Sequence, residues 1–140
     1  INFTIDACCE FNFIINNIKV IKSTPFSNSV QVKERVNDST TTTVTKTAVG
    51  RLYELSGDSK LEVNLTISDA LYGNVLFDEK ISKYYEYLNS YIAYEGDRRA
   101  LPKGYLKYSK TRPLDPNLKL QVEEKVLNRI NEIINLRYEN

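Results

Sequence analysis

The 140-residue sequence contains no histidine, no methionine and no tryptophan, and its only two cysteines stand side by side at Cys8 and Cys9. Without histidine, the chain loses the commonest general base and every triad built on it. Two adjacent thiols with no imidazole do not make a tetrahedral zinc site. Neighbouring cysteines close only a small strained ring, so we expect two reduced or partner-facing thiols near the terminus. The five glycines, at 50, 57, 73, 96 and 104, compose neither a phosphate-binding loop nor a dinucleotide fingerprint. Neither catalytic residues nor metal ligands nor a cofactor are expected. The longest apolar run, Tyr91–Tyr94, is far too short to cross a bilayer as a helix. A net charge of +1 gives no global field toward nucleic acid or membrane, so any electrostatic partner must be read from a local patch. The chain opens at Ile1 with no methionine, for which the expectation is either a removed leader or a trimmed piece.

What remains is an ordinary globular composition, 41% hydrophobic and 26% charged, long enough for one domain spanning 1–140. Its clearest stretch is Lys60–Ser82. Leu61, Val63, Leu65 and Ile67 alternate with Glu62, Asn64, Thr66 and Ser68, which predicts a strand with one buried face. Asp69–Asn74 interrupts the alternation, and Val75, Phe77 and Ile81 resume it, so a hairpin with a loop of about five residues is expected.

Upstream, Phe11, Phe13 and Ile15 share one phase and Ile18, Val20 and Lys22 the other. The switch at Asn16-Asn17 predicts one bulged strand or two short ones. Thr24-Pro25 is expected to end it. Val30, Val32 and Val36 predict a further strand, Asn37–Ser39 a turn, and Thr40–Leu55 a long strand rich in β-branched residues, whose Thr-rich start could equally be a mobile hairpin tip. Ser56-Gly57-Asp58-Ser59 reads as the turn into the central hairpin. After Ser82, Lys83–Tyr94 could continue the strand or form a short helix; the strand is favoured to about Tyr87, and a long loop is expected to occupy about 88–114. Asp115-Pro116 predicts a helix start, with Asp as cap and Pro in the first turn. Leu118, Val122, Val126, Ile130, Ile133 and Ile134 then recur on one side, to about residue 137. The fold class expected is α+β: an antiparallel meander of about four or five strands with this amphipathic helix packed on one face.

The paired carboxylates are read as ordinary charges. Asp78 and Glu79 point to opposite faces of a strand, and Glu123 and Glu124 sit near the positive end of the helix dipole.

One local patch stands out. Arg98, Arg99, Lys103, Lys107, Lys110 and Arg112 lie within fifteen residues, with Tyr105 and Tyr108 between them, Tyr91 and Tyr94 just before, and only Glu95 and Asp97 as nearby acids. Interleaved cations and aromatics suit a protein partner, or an anionic glycolipid or polymer, with nucleic acid the least favoured. The plain alternative is a solvated loop whose tyrosines pack on the sheet.

The run LEVNLTISDALYGNVLFDEKIS resembles the strand–turn–strand of bacterial envelope accessory domains: the lipopolysaccharide-assembly lipoproteins and the TolB amino-terminal and curli-secretion-type domains. Phe26-Ser27-Asn28 after a strand and a C-terminal amphipathic helix fit their opening and close. Those domains usually place a helix after the first strand, where residues 29–37 here read as strand, and a lipid-acceptor cysteine with its lead-in is missing. The resemblance implies a non-enzymatic, extracytoplasmic accessory subunit that acts by contact within a larger machine. The alternative is a structural subunit of a virion or phage tail.

Overall fold

A computed structural model describes Thr4 and residues 11–138, with side chains to Leu136; Cys8 and Cys9 lie outside the described residues. Among the described residues, three strands and one α-helix, with two short 3-10 turns, make up the regular structure: β1 (Asn12–Arg35), β2 (Thr41–Ser68), β3 (Val75–Gly96) and α1 (Leu118–Tyr138). The strands form one antiparallel sheet in the order β1-β2-β3. The α+β class expected from the sequence is therefore found, with three strands in place of four or five.

The strands are fewer because they are longer, at 24, 28 and 22 residues. Two signals read as breaks lie inside strands. Pro25 does not end β1, because β1 is an edge strand, where a proline that donates no N–H is tolerated on the open side. Ser56–Ser59 is no turn but the middle of β2. Gly57 is needed there because a Cβ would come within 2.6 Å of Ile18 Cγ1 and 2.9 Å of its Cα, so the strands approach too closely for any side chain. Asp58 accepts from Asn16 Nδ2 at 2.7 Å and from the Tyr84 hydroxyl at 3.1 Å, linking β2 to both neighbours. Ser59 is fully buried and donates to the carbonyl of Leu118 at 2.7 Å. The polar quartet is thus used as a cross-strand tie and a seat for the start of the helix.

The other two expected turns form. Val36 N donates to Thr40 O, and Asn37 Oδ1 accepts from Ser39 N. At the other end, Asp69–Asn74 is closed by Asp69 N to Asn74 O at 2.8 Å and Gly73 N to Asp69 O at 2.7 Å. Gly73 has φ +73°, a region that costs a side-chain-bearing residue energy.

The chain divides into two compact units, and each strand contributes to both. Among the described residues, unit 1 holds 11–18, 57–87 and 115–138; unit 2 holds 19–56 and 88–114. In unit 1 the odd positions of β2 are buried without interruption, and Leu61, Val63, Leu65 and Ile67 join Ile81, Val122, Val126, Ile130 and Ile133 in one aliphatic core. Each such side chain, taken fully out of water, contributes roughly 1.5–3 kcal/mol. The helix starts at Leu118, later than Asp115-Pro116 suggested, because Asn117 is the cap: its Oδ1 accepts from Leu120 N at 3.0 Å. Lys125 Nζ donates to the Tyr84 carbonyl at 2.8 Å, and Arg129 reaches Glu79 at 3.5 Å, fixing α1 against β3. Lys60 and Lys80 flank Glu62 and hold its carboxyl below the usual range.

In unit 2 Leu55 is still buried at an odd position, and beyond it toward Ala48 the parity reverses. Ala48 on β2 and Ile92 on β3 are buried at even positions, with Phe26, Val30, Leu52 and Tyr94 packed against them. The phase change seen in the sequence at Asn16-Asn17 falls next to the unit boundary after Ile18, and β1 passes through it as a single strand.

Candidate functional site

The expected loop at 88–114 is shorter than its sequence suggested, because β3 runs on to Gly96: Ile92 and Tyr94 still have Ala48 to pack against. The irregular segment begins at Asp97. Its N–H donates to Thr47 O at 2.8 Å, and its carboxylate caps a 3-10 turn at Arg98–Ala100 by accepting from Arg99 N at 2.8 Å. The Arg99 guanidinium folds back onto the same carboxylate through Nε (3.0 Å) and Nη2 (2.7 Å), and Nη2 also reaches Glu34 at 3.3 Å. Lys46 joins Glu34 from β2 at 3.1 Å. The Arg99 hydrogen bonds bring the Asp97 carboxyl down to about 2, and Lys46, then Arg99, lowers that of Glu34. Asn28 Nδ2 completes the clasp on the Ala100 carbonyl at 2.9 Å, and Ala100 is fully buried.

A second 3-10 turn, Tyr105–Lys107, carries the aromatic part. Tyr105 meets Phe26 edge-on, with centroids 5.2 Å apart, and Tyr108 at 5.6 Å. Lys107 lies over the Tyr108 ring at 5.2 Å and Lys110 over Tyr94 at 5.7 Å, distances at which a cation is attracted by the ring face. The segment then pairs with the edge of β3, where Ile92 N donates to Ser109 O at 2.8 Å beside a parallel bridge between Tyr91 and Ser109. Tyr91 stacks on Tyr53 at 4.9 Å, the planes 20° apart.

The ten residues singled out in the sequence therefore separate into groups. Tyr94, Tyr105 and Tyr108 are half-buried around the Ala48–Ile92 core, Tyr91 is half-buried on Tyr53, and Arg99 is turned into the carboxylate clasp. Lys107 and Lys110 stand over tyrosine rings and are exposed. Arg98, Lys103 and Arg112 are exposed. Leu106 and Leu114, which the sequence did not single out, are 58% and 95% exposed among these cations.

Two open grooves adjoin these groups within unit 2. One, of about 880 Å³, is lined by Pro25, Phe26, Arg51, Tyr53, Tyr94 and Glu95, with Gly50 and Ala93 among its other walls. The second, of about 510 Å³, has Lys107 and Tyr108 with Ile21, Leu88 and Pro113. Phe26, Glu34, Arg51 and Tyr53 were missed as neighbours of the site. Arg51 and Tyr53 share a phase on β2, which is the one sequence signal that brings them together. Among the described residues no three His, Cys, Asp or Glu side chains gather as a metal site, and no described helix is long and apolar enough to cross a membrane. No family model, curated protein or solved structure matches the chain.

Proposed function

We propose that this chain is a non-enzymatic subunit that acts by contact within a larger assembly, and that the segment from Tyr91 to Arg112 presents its contact surface. The observation that carries the reading is the division of labour along that segment. Its tyrosines and Arg99 hold the backbone, while Arg98, Lys103, Lys107, Lys110 and the exposed Leu106 and Leu114 form an exposed rim of cations and leucines. A rim carried on a backbone already held in place loses less conformational entropy on binding than one on a free loop. Arginine and tyrosine beside exposed leucine suit a protein partner, whereas an anionic glycolipid or polymer would engage the cations alone.

The assembly is extracytoplasmic in this reading. The Leu61–Ser82 hairpin and α1 support a bacterial envelope machine, whose accessory domains they resemble. Strands of 22–28 residues and a long open edge support the second setting, a virion or phage tail, and β1 continues as strand where the envelope domains usually place a helix. The test is affinity capture from the source cells with the wild type and with a variant carrying Arg98, Lys103, Lys107 and Lys110 all changed to Ala. A defined protein lost from the variant, with the melting temperature unchanged, is the expected result. Steep salt dependence and binding to anionic vesicles or polyanions would move the reading to a non-protein anion. Equal capture by both forms contradicts it. Fractionation of the source cells, or the identity of the neighbouring genes, separates the two settings.

A further inference from the structure

Among the described residues β1 is an edge strand with β2 as its one neighbour in the sheet, whereas the edge of β3 receives Ser109 beside Tyr91. Proteins usually blunt a long edge with proline, a bulge or a covering segment. The stretch Asn12–Ser23 has no proline and no glycine, and it exposes Ile14 (58%), Ile15 (40%), Val20 (40%) and Ile21 (57%).

Two identical strands that pair antiparallel are related by a two-fold axis, and the contact must be self-complementary. Opposed residues share a face, so in a regular strand they have equal parity. An axis through Lys19 or Lys22 would set like charges face to face. An axis through Ile18 would set Ile14 against Lys22 and Asn17 against Lys19. An axis through Asn17 sets Ile14 against Val20 and Phe13 against Ile21, and leaves Lys19 opposite Ile15 and Lys22 opposite Asn12. Apolar then meets apolar and no lysine meets a cation.

The place of Pro25 in β1 suits that register. Pro25 has no N–H to give β2, so it faces the open side, and in a regular strand the odd-numbered residues share its direction. Asn17 is odd, so its N–H and C=O face the open edge, where two copies exchange a pair of hydrogen bonds at the axis. Pro25 lies beyond the paired stretch.

We propose that two copies of this chain pair antiparallel through β1 about Asn17, joining two three-stranded sheets into one of six strands. The test is sedimentation of the full chain at tens of micromolar. The wild type is expected at twice 16.1 kDa. Asn17→Pro, which removes an edge donor, and Val20→Lys, which leaves the backbone intact, are each expected as monomers. Val20→Lys is expected to melt within a few degrees of the wild type, and it decides the matter if Asn17→Pro does not fold. In a Cys8→Ser, Cys9→Ser background, Asn17→Cys is expected to form a disulfide-linked dimer on oxidation and Ser27→Cys is not. A monomeric wild type overturns the proposal, including the case in which the edge takes a strand from a different protein. A dimer that survives Val20→Lys, or cross-linking at Ser27 as readily as at Asn17, overturns it as well.

Discussion

The two units use the same three strands and different materials. Unit 1 buries aliphatic side chains at odd positions of β2 beneath a helix. Unit 2 buries Ala48 and Ile92, at even positions, beneath an irregular segment, and what holds that segment is its buried Ala100 and Leu101 together with aromatic contacts, an Asn28 hydrogen bond and an arginine–carboxylate clasp. Aliphatic burial is non-directional and scales with area, so it tolerates small displacements. Rings meeting edge-on and a guanidinium on two carboxylates depend on direction. A strand can therefore exchange its buried face along its length when the covering layer changes, and the layer with directional contacts is the one that can present fixed cations to a partner.

The largest effect should come from breaking the aliphatic unit. Val63→Asp puts an unpaired carboxylate among Leu61, Leu65 and the helix and should cost about 3–5 kcal/mol, read from chemical denaturation followed by circular dichroism. A variant as stable as the parent would remove the basis of the contrast.

Next comes Tyr105→Ala, which deletes both ring contacts that pin the second 3-10 turn. Because Tyr105 is half-exposed, about 2 kcal/mol is expected, with the change in tyrosine fluorescence confined to unit 2. Ser59→Ala, which leaves the Leu118 carbonyl without its buried donor, should cost about 1–2 kcal/mol in unit 1.

The smallest effect is the pH response of the clasp. The folded Asp97 carboxyl lies at about 2 against an ordinary 3.8, so the unfolded chain takes up its proton first. The clasp contribution is complete above the ordinary value and is lost as pH falls toward the folded one. Asp97→Asn should therefore flatten the fall of melting temperature between about pH 4 and pH 2, measured beside the wild type.

The comparison also explains how far the sequence carried. The alternation at Leu61–Ile67 and the stripe from Leu118 to Ile133 were legible because one pattern and one covering layer act over many residues. Pro25 and Ser56–Ser59 were misleading because the same residue types serve turns, strand edges and docking seats, and only the neighbouring strand decides between them. Asp115-Pro116 looked like a start because Asn117, an equally good cap, stands two residues on. In the candidate site, composition picked out the cations and tyrosines. It did not separate Arg99 and Tyr105, which hold the segment, from Arg98 and Lys103, which stand exposed, because that depends on where Glu34 and Phe26 fall in space.

The most direct test of the contrast is native-state hydrogen exchange of Leu65→Ala, a cavity at a fully buried position of unit 1. Exchange should accelerate at the amides of 57–68, 75–87 and 118–136, while those of β2 and β3 around Ala48 and Ile92 keep wild-type protection. Equal acceleration in both sets of amides would mean that the two cores open as one, and would contradict the account.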